Sequence, residues 1–277
     1  MHMLFRWLRK ATLINCCLTL KNVVSLNGNN SRIARSQLKL MNFHGWLKLS
    51  TKIYLFLVRS PIATYRCLAV LISQRYLLTV AKCVEKTLRH EPQAVLLGDF
   101  SSTSDGTNAQ LFDIEEIVVH PFFNRLNHAN DIALLRMNET ISYTNFIRPI
   151  CLPSQEIKDK EFGAEQLMIA GWFRRQLLGN IHKLPVVINN NADCRRKFLN
   201  TINITDSHMC GIACVQKFEF MPGSAIMDIV NTKPGPTNYY LAGLLSFIYG
   251  RCTYPEEPNI FIRVDPYLNW IKENIYD

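Results

Sequence analysis

The side chains with the most chemical reach are nine cysteines and seven histidines, and their spacing separates metal chemistry from cross-linking. No Cys-x-x-Cys pair occurs, and the histidines do not cluster near cysteines at zinc-ligand spacing, so neither a metal nor a cofactor is expected. Disulfides formed in an oxidising compartment are the better use of these thiols. Nine is odd, so a full set of bridges leaves one thiol over or paired with another chain. Asn29, Asn138 and Asn203 each open an Asn-x-Ser/Thr sequon, the acceptor pattern for glycosylation of a secreted protein.

The elements that would position such groups are short. Apolar or alternating runs broken by turn residues predict strands over Ile53–Val58, Cys67–Ile72, Tyr76–Ala81, Ala94–Leu97, Ile114–His120, Asp131–Met137, Leu167–Trp172, Pro185–Ile188, Ala225–Val230, Tyr240–Ile248 and Asn259–Val264. Only the end, Pro266–Ile275, reads as a helix: Leu268, Ile271 and Ile275 share a face, and a proline opens it. Many short strands without intervening helices imply an all-β sandwich or barrel. The polar stretch 154–165 divides this region into two halves. No run approaches the ~18 consecutive apolar residues of a membrane span.

Charge is concentrated at the front. Residues 1–52 hold nine Lys/Arg and no Asp or Glu, which leaves 22 basic and 22 acidic residues for 53–277. A nucleic-acid-binding domain is therefore not expected. A basic tail over 1–49 precedes a balanced domain over 50–277. The tail's Arg6–Lys10 followed by Ala11–Leu20 has the basic-then-apolar order of a signal segment, without a clear small-x-small cleavage site. Signal, organellar presequence, and tail or mis-assigned start stay open.

Three segments together resemble the trypsin/chymotrypsin-type serine proteases, and within them the insect haemolymph proteases of the clip-domain type. Leu77-Leu-Thr-Val-Ala-Lys-Cys83 resembles the block around that family's catalytic histidine. Asn130-Asp-Ile-Ala-Leu-Leu-Arg136 resembles the block around its catalytic aspartate, and Arg148-Pro-Ile-Cys-Leu-Pro153 follows. Ile169–Trp172, Gly243–Phe247 and Pro258–Ile271 match in order as well. The resemblance implies two perpendicular six-stranded β-barrels with a site between them and a C-terminal helix. It also implies disulfides Cys67–Cys83, Cys194–Cys210 and Cys214–Cys252, with Cys151 tethered upstream, Cys16 or Cys17 being the candidates.

Acyl transfer in this family needs a hydroxyl nucleophile, an imidazole to take its proton, a carboxylate to orient the imidazole, and backbone N–H groups aimed at the oxyanion. Aligned on the resemblance, Asp131 stands at the carboxylate position, but Lys82 stands at the base. An ammonium with a reference pKa near ~10.4 cannot accept the proton at neutral pH. A Lys82–Asp131 ion pair is expected instead. The nucleophile block reads Met221-Pro-Gly-Ser-Ala-Ile-Met227. Three registers put Gly223, Pro222 or Ser224 at the nucleophile, with Gly223 favoured and Ser224 the runner-up. The substrate cleft departs too: Ser246-Phe247-Ile248 replaces the usual Ser-Trp-Gly, and Asn259 replaces a wall glycine, so the cleft is expected to be blocked. No Arg/Lys-Ile-Val-Gly-Gly activation site precedes the domain.

The expectation is a secreted, non-catalytic serine protease homologue acting as a binding or regulatory module in a cascade of immunity, melanisation or clotting. Its partner would be an active protease, its substrate or an inhibitor. The alternatives are an active or weakly active serine endopeptidase, and a glycan or cell-surface binding protein using the basic tail for polyanion contact. Loops 98–112, 171–183 and 213–223 are the expected contacts. His120 and His128 are read as tolerated loop residues. Arg174-Arg175 and Arg195-Arg196-Lys197 are read as solvated loop charges, with polyanion contact as the sharper alternative.

Overall fold

The computed structural model describes residues 53–58, 64–85, 92–98, 109–153, 167–173, 181–199, 202–213, 219–231, 237–248 and 258–276. Six strands, β1 (Ile53–Val58), β2 (Thr64–Leu71), β3 (Tyr76–Thr79), β4 (Ala94–Leu97), β5 (Gln110–Val119) and β6 (Ala133–Met137), close into an antiparallel barrel in the order β1-β2-β3-β6-β5-β4.

The second half contributes β7 (Met168–Gly171), β8 (His182–Pro185), β9 (Val187–Asn189), β10 (His208–Ile212), β11 (Ala225–Asn231), β12 (Thr237–Phe247) and β13 (Asn259–Arg263). They form one antiparallel sheet in the order β8-β7-β11-β12-β13-β10-β9. The two edge strands are consecutive in sequence and separated by Val186 alone. The segment therefore pairs with β7 through one end and with β10 through the other, so the sheet curls back on itself. Counted as one bent stave, β8 and β9 make the second sheet six-stranded. The fold is that of the chymotrypsin-like double barrel.

The continuous apolar runs in β2 and β3 follow from burial on both faces. Cys67, Ala69, Leu71 and Leu77 fill the first barrel with Val95, Leu97, Phe112, Leu135 and Met137. The alternate residues Leu68, Val70, Tyr76 and Leu78 turn outward and pack with Trp172, Met227, Leu244 and Ile262 of the second half, and with Ile271. A fully buried leucine contributes about 1.5–3 kcal/mol, so this shared cluster holds the halves together. Ile169, Phe173, Phe220, Ile226, Leu245 and Phe261 fill the second sheet.

Several boundaries differ from the sequence-based ones. The strand predicted to reach Ala81 stops at Thr79, because Cys83 N–H and Val84 N–H bond back to Val80 O and Ala81 O, turning Ala81–Cys83 into one 3₁₀ turn. The predicted C-terminal helix divides into a 3₁₀ turn, Asp265–Tyr267, and α2 (Leu268–Asn274, numbered after α1 below). Strand β10 was not anticipated.

Nor was α1 (Asn191–Lys197), which corrects the reading of Arg195-Arg196-Lys197 as loop charges. Asn190 Oδ1 caps it by accepting from Ala192 N–H at 2.7 Å. Asp193 in its first turn and three cations in its last complement the helix dipole. A Cys194–Cys210 disulfide fixes the helix to β10.

Candidate functional site

The loop ends of the two sheets meet around Asp131, whose side chain is completely buried. It precedes β6, and the 3₁₀ turn after β3 brings Lys82 beside it. That turn is pinned by a disulfide from Cys83 to Cys67 on β2. Asp131 Oδ1 accepts the Lys82 backbone N–H at 2.8 Å, and Oδ2 accepts the Ser246 hydroxyl of β12 at 2.6 Å. Burial pushes the Asp131 carboxyl above its ordinary range. The Lys82 ammonium and the hydrogen bonds from Ser246 and the Lys82 N–H all pull the other way. The ammonium of Lys82 lies over the Phe247 ring, with Nζ 5.4 Å from the centroid.

Phe247 also stacks on His128, centroids 4.7 Å apart. His128 in turn presents its carbonyl to Nε2 of His208 at 3.4 Å, while Nδ1 of His208 lies 2.9 Å from Thr205 Oγ1. His208 is fully buried, and burial pushes its imidazole below the usual range, against the pull of Asp131. Burial, then Lys82, do the same to His128. Sequence reasoning passed over His208 altogether. His208, which feels the Asp131 charge, and its neighbour His128 thus come from outside the block where the family carries its base.

Before β11, the turn Met221–Ser224 is tied down on every side. Met221 N–H donates to Trp172 O at 2.9 Å, Gly223 N–H to Leu245 O at 2.8 Å and Ser224 N–H to Met221 O at 3.2 Å. Pro222 has no N–H, and its carbonyl accepts from Leu68 N–H at 2.8 Å. Gly223 has φ of +83°, and a Cβ there would stand 1.9 Å from Leu68 O. Ser224 is fully buried, its hydroxyl donating to Met221 O at 2.7 Å against Gly171. In the cleft wall, buried Asn259 donates from Nδ2 to Ala213 O at 3.3 Å. Ile248 packs against the core of the second sheet.

Asn138 and Asn203 are exposed, and Asn29 lies outside the described residues. Cys151 is disulfide-bonded, whereas Cys16, Cys17, Cys214 and Cys252 lie outside the description. So do Arg174-Arg175 and most of the loops expected to make contacts. Among the described residues, no group of three or more His, Cys, Asp or Glu is arranged to hold a metal. None of their helices is long and apolar enough to cross a membrane.

A double barrel with Asp131 at the junction defines the class, and comparison with known proteins gives the family. The Trypsin family model matches residues 52–271, and the chain belongs to that family. It is 31% identical over 228 residues to CLIP domain-containing serine protease B4 of Anopheles gambiae, covering 76% of this chain and 62% of that protein. It is 27% identical over 232 residues to the Proclotting enzyme of Tachypleus tridentatus, covering 79% and 61%. Melanization protease 1 of Drosophila melanogaster is 29% identical over 235 residues, covering 76% and 58%. The chain spans about three fifths of the length of these relatives.

Proposed function

We propose that this member of the trypsin family is non-catalytic and serves as an extracellular binding or regulatory module. The hydrogen bonding of the 221–224 turn carries this reading. An oxyanion hole of this family uses the N–H of the nucleophile and of the residue two before it. With Gly223 at the nucleophile, both donors, Met221 and Gly223, are already bonded to carbonyls, and no hydroxyl exists. With Pro222 there, one donor is missing outright, again without a hydroxyl. With Ser224 there, Pro222 supplies no donor, Ser224 N–H is bonded to Met221 O, and the hydroxyl is buried and donating. Every register therefore lacks either nucleophile or cradle, and Lys82 occupies the base position in all of them.

The relatives named for clotting and melanization support a place beside active proteases in such a cascade, with a protease, its substrate or an inhibitor as partner. The test is a fluorophosphonate probe applied to the secreted protein alongside a panel of peptide substrates. Neither labelling nor hydrolysis is expected. Covalent labelling at Ser224 would sink the proposal.

A further inference from the structure

We propose that loop 121–129 is held by an acid-released latch: three neutral imidazoles, those of His120, His128 and His208, fasten it to the second half of the molecule, and proton uptake by them lets it go. The loop itself is built from its asparagines. Asn124 Oδ1 accepts from Leu126 N–H at 2.9 Å, Asn127 Oδ1 from Ala129 N–H at 3.1 Å, and Asn124 N–H closes onto Ala129 O at 2.9 Å. His128 and Asn130 take left-handed backbone, φ 56° and 53°, a conformation that costs non-glycine residues free energy. The contacts at the two ends of the loop must outweigh that cost.

The hydrogen bonds fix which form of each ring the fold accepts. His208, fully buried on β10, accepts Thr205 N–H at Nδ1, 3.2 Å away, so its proton sits on Nε2 and points at His128 O at 3.4 Å. Protonating Nδ1 would set two N–H donors against each other. Thr205 Oγ1, 2.9 Å away, can accept the new N–H, but the Thr205 amide then loses its acceptor. His120 repeats the pattern, its Nδ1 accepting Phe122 N–H at 3.3 Å while the ring packs on Tyr267 and Trp270, centroids 5.2 and 5.1 Å away. His128 lies on Phe247 at 4.7 Å, with Nδ1 buried and without a hydrogen-bond partner among the described residues. An imidazolium carries N–H on both nitrogens, so there it would hold a buried, unpaired donor.

Charge opposes protonation as well. Facing these rings are the Lys82 ammonium, 5.4 Å from the Phe247 centroid, and the Asp131 carboxylate, one of each sign. Other charges flanking the latch are paired with one another: Arg263 with Asp265 at the end of β13, Arg195 with Asp206 beside the 205–208 turn, and Arg125 of the loop with Glu85. The Tyr267 hydroxyl, donating to Asn130 Oδ1 at 2.9 Å, stays protonated across the acid range. Each imidazolium formed here is thus a surplus cation. Burial, with Lys82 adding to it at His128, holds all three rings below the usual imidazole range, and at His208 it outweighs the pull of Asp131.

A ring freed from these contacts regains an ordinary pKa of about 6.5, so the opened loop binds protons that the closed one refuses. The loop stays closed above about pH 6.5 and is released as pH falls below it, opening rising by up to about tenfold per pH unit per proton. Release uncovers the Phe247 face on which His128 lies. The latch does not depend on whether the chain is catalytic.

The test is hydrogen–deuterium exchange of the full-length chain at about pH 7.4 and 5.4, corrected for the intrinsic pH dependence of exchange. Peptides covering 121–130 and 204–208 should exchange at least about tenfold faster at the lower pH, while those from β3 and β6 keep their protection. His208→Gln, which keeps a side-chain donor but does not titrate, should lose most of that acceleration. Lys82→Met leaves the backbone N–H on Asp131 in place. It should move the opening midpoint to lower pH, because Asp131 then offsets an imidazolium instead of the ammonium.

Equal protection of the loop at both pH values would overturn the latch. So would acceleration shared equally by β3 and β6, which is global unfolding. A His208→Gln chain that opens with the wild-type pH dependence, or a Lys82→Met midpoint that stays or rises, would overturn it too. If His208→Gln does not fold, Lys82→Met decides alone. Nitrogen NMR of the wild type gives an independent reading: His208 should carry its proton on Nε2 at neutral pH, and a proton on Nδ1 would refute the mechanism.

Discussion

Placing a serine at Gly223 tests the Met221–Ser224 turn most directly. The backbone there has φ of +83°, and an added Cβ would stand 1.9 Å from Leu68 O, 2.8 Å from Leu68 C and 3.1 Å from Leu68 N. Neither side can yield easily. Leu68 N–H is bonded to Pro222 O and Gly223 N–H to Leu245 O, both at 2.8 Å, so the turn is held by β2 and β12 together. A left-handed non-glycine residue costs about 1–2 kcal/mol. Overpacking a tight site costs about 1–3 kcal/mol more. Gly223→Ser should therefore lose roughly 2–5 kcal/mol, a large share of the ~5–15 kcal/mol typical of a folded protein. Gly223→Ala should lose nearly as much, since the conflict lies at Cβ rather than at the hydroxyl. Guanidinium unfolding, read as a lower midpoint at unchanged slope, measures both variants. Adding Lys82→His to Gly223→Ser should give no peptide hydrolysis. A variant within about 0.5 kcal/mol of wild type, or one that hydrolyses peptides, would refute the reasoning.

Two further effects can be measured. Burial holds the His208 imidazole below its usual range, so the unfolded chain binds a proton that the folded chain refuses. Stability from this group is present above about pH 6.5 and lost as pH falls below it, by up to ~1.4 kcal/mol per pH unit per proton. His208→Gln should flatten urea-measured stability between about pH 7.5 and 5.5, and an unchanged slope would exclude His208 as a contributor. His120 and His128 are shifted the same way and keep part of the slope. Asp131 runs oppositely, its raised pKa making ionisation costly as pH rises. Separately, the Tyr76 hydroxyl donates to Tyr276 O at 2.6 Å and accepts Tyr276 N–H at 3.0 Å, fastening the C-terminus to the first barrel. Tyr76→Phe should cost about 1–2 kcal/mol in thermal or chemical unfolding, and a neutral variant would show that water replaces both bonds.

Strand positions were legible wherever burial wrote a continuous or alternating apolar pattern. Ala94–Leu97 and Ile53–Val58 have the predicted limits, and Cys67–Ile72 overlaps β2 almost throughout. Helix α1 stayed hidden because its seven residues carry little apolar face, and a tertiary disulfide and an asparagine cap decide its fate. Strand β10 hid for a related reason: His208 and Gly211 interrupt the apolar run, although both face buried surroundings. At the site, the presence of Asp131 and Lys82 could be read from local blocks. How they meet could not, because the short hydrogen bond from Lys82 runs through its main chain. The loop 121–129 was visible only as a loop tolerating His128, since its order depends on side chain to backbone bonds that no hydrophobic period records.

A buried carboxylate should be a liability, because a desolvated charge must be compensated. Asp131 is compensated from both halves of the molecule. Lys82 N–H approaches from the first barrel and Ser246 from the second, and neither donor is an imidazole. The halves are also joined through Leu68 N–H to Pro222 O, through His128 on Phe247, and through Tyr76 to Tyr276. Removing one donor to Asp131 would leave the buried carboxylate short of a partner, so each half holds a group the other half's carboxylate contact depends on. Asp131 thus sits at the seam between the two barrels, held by one donor from each side of it.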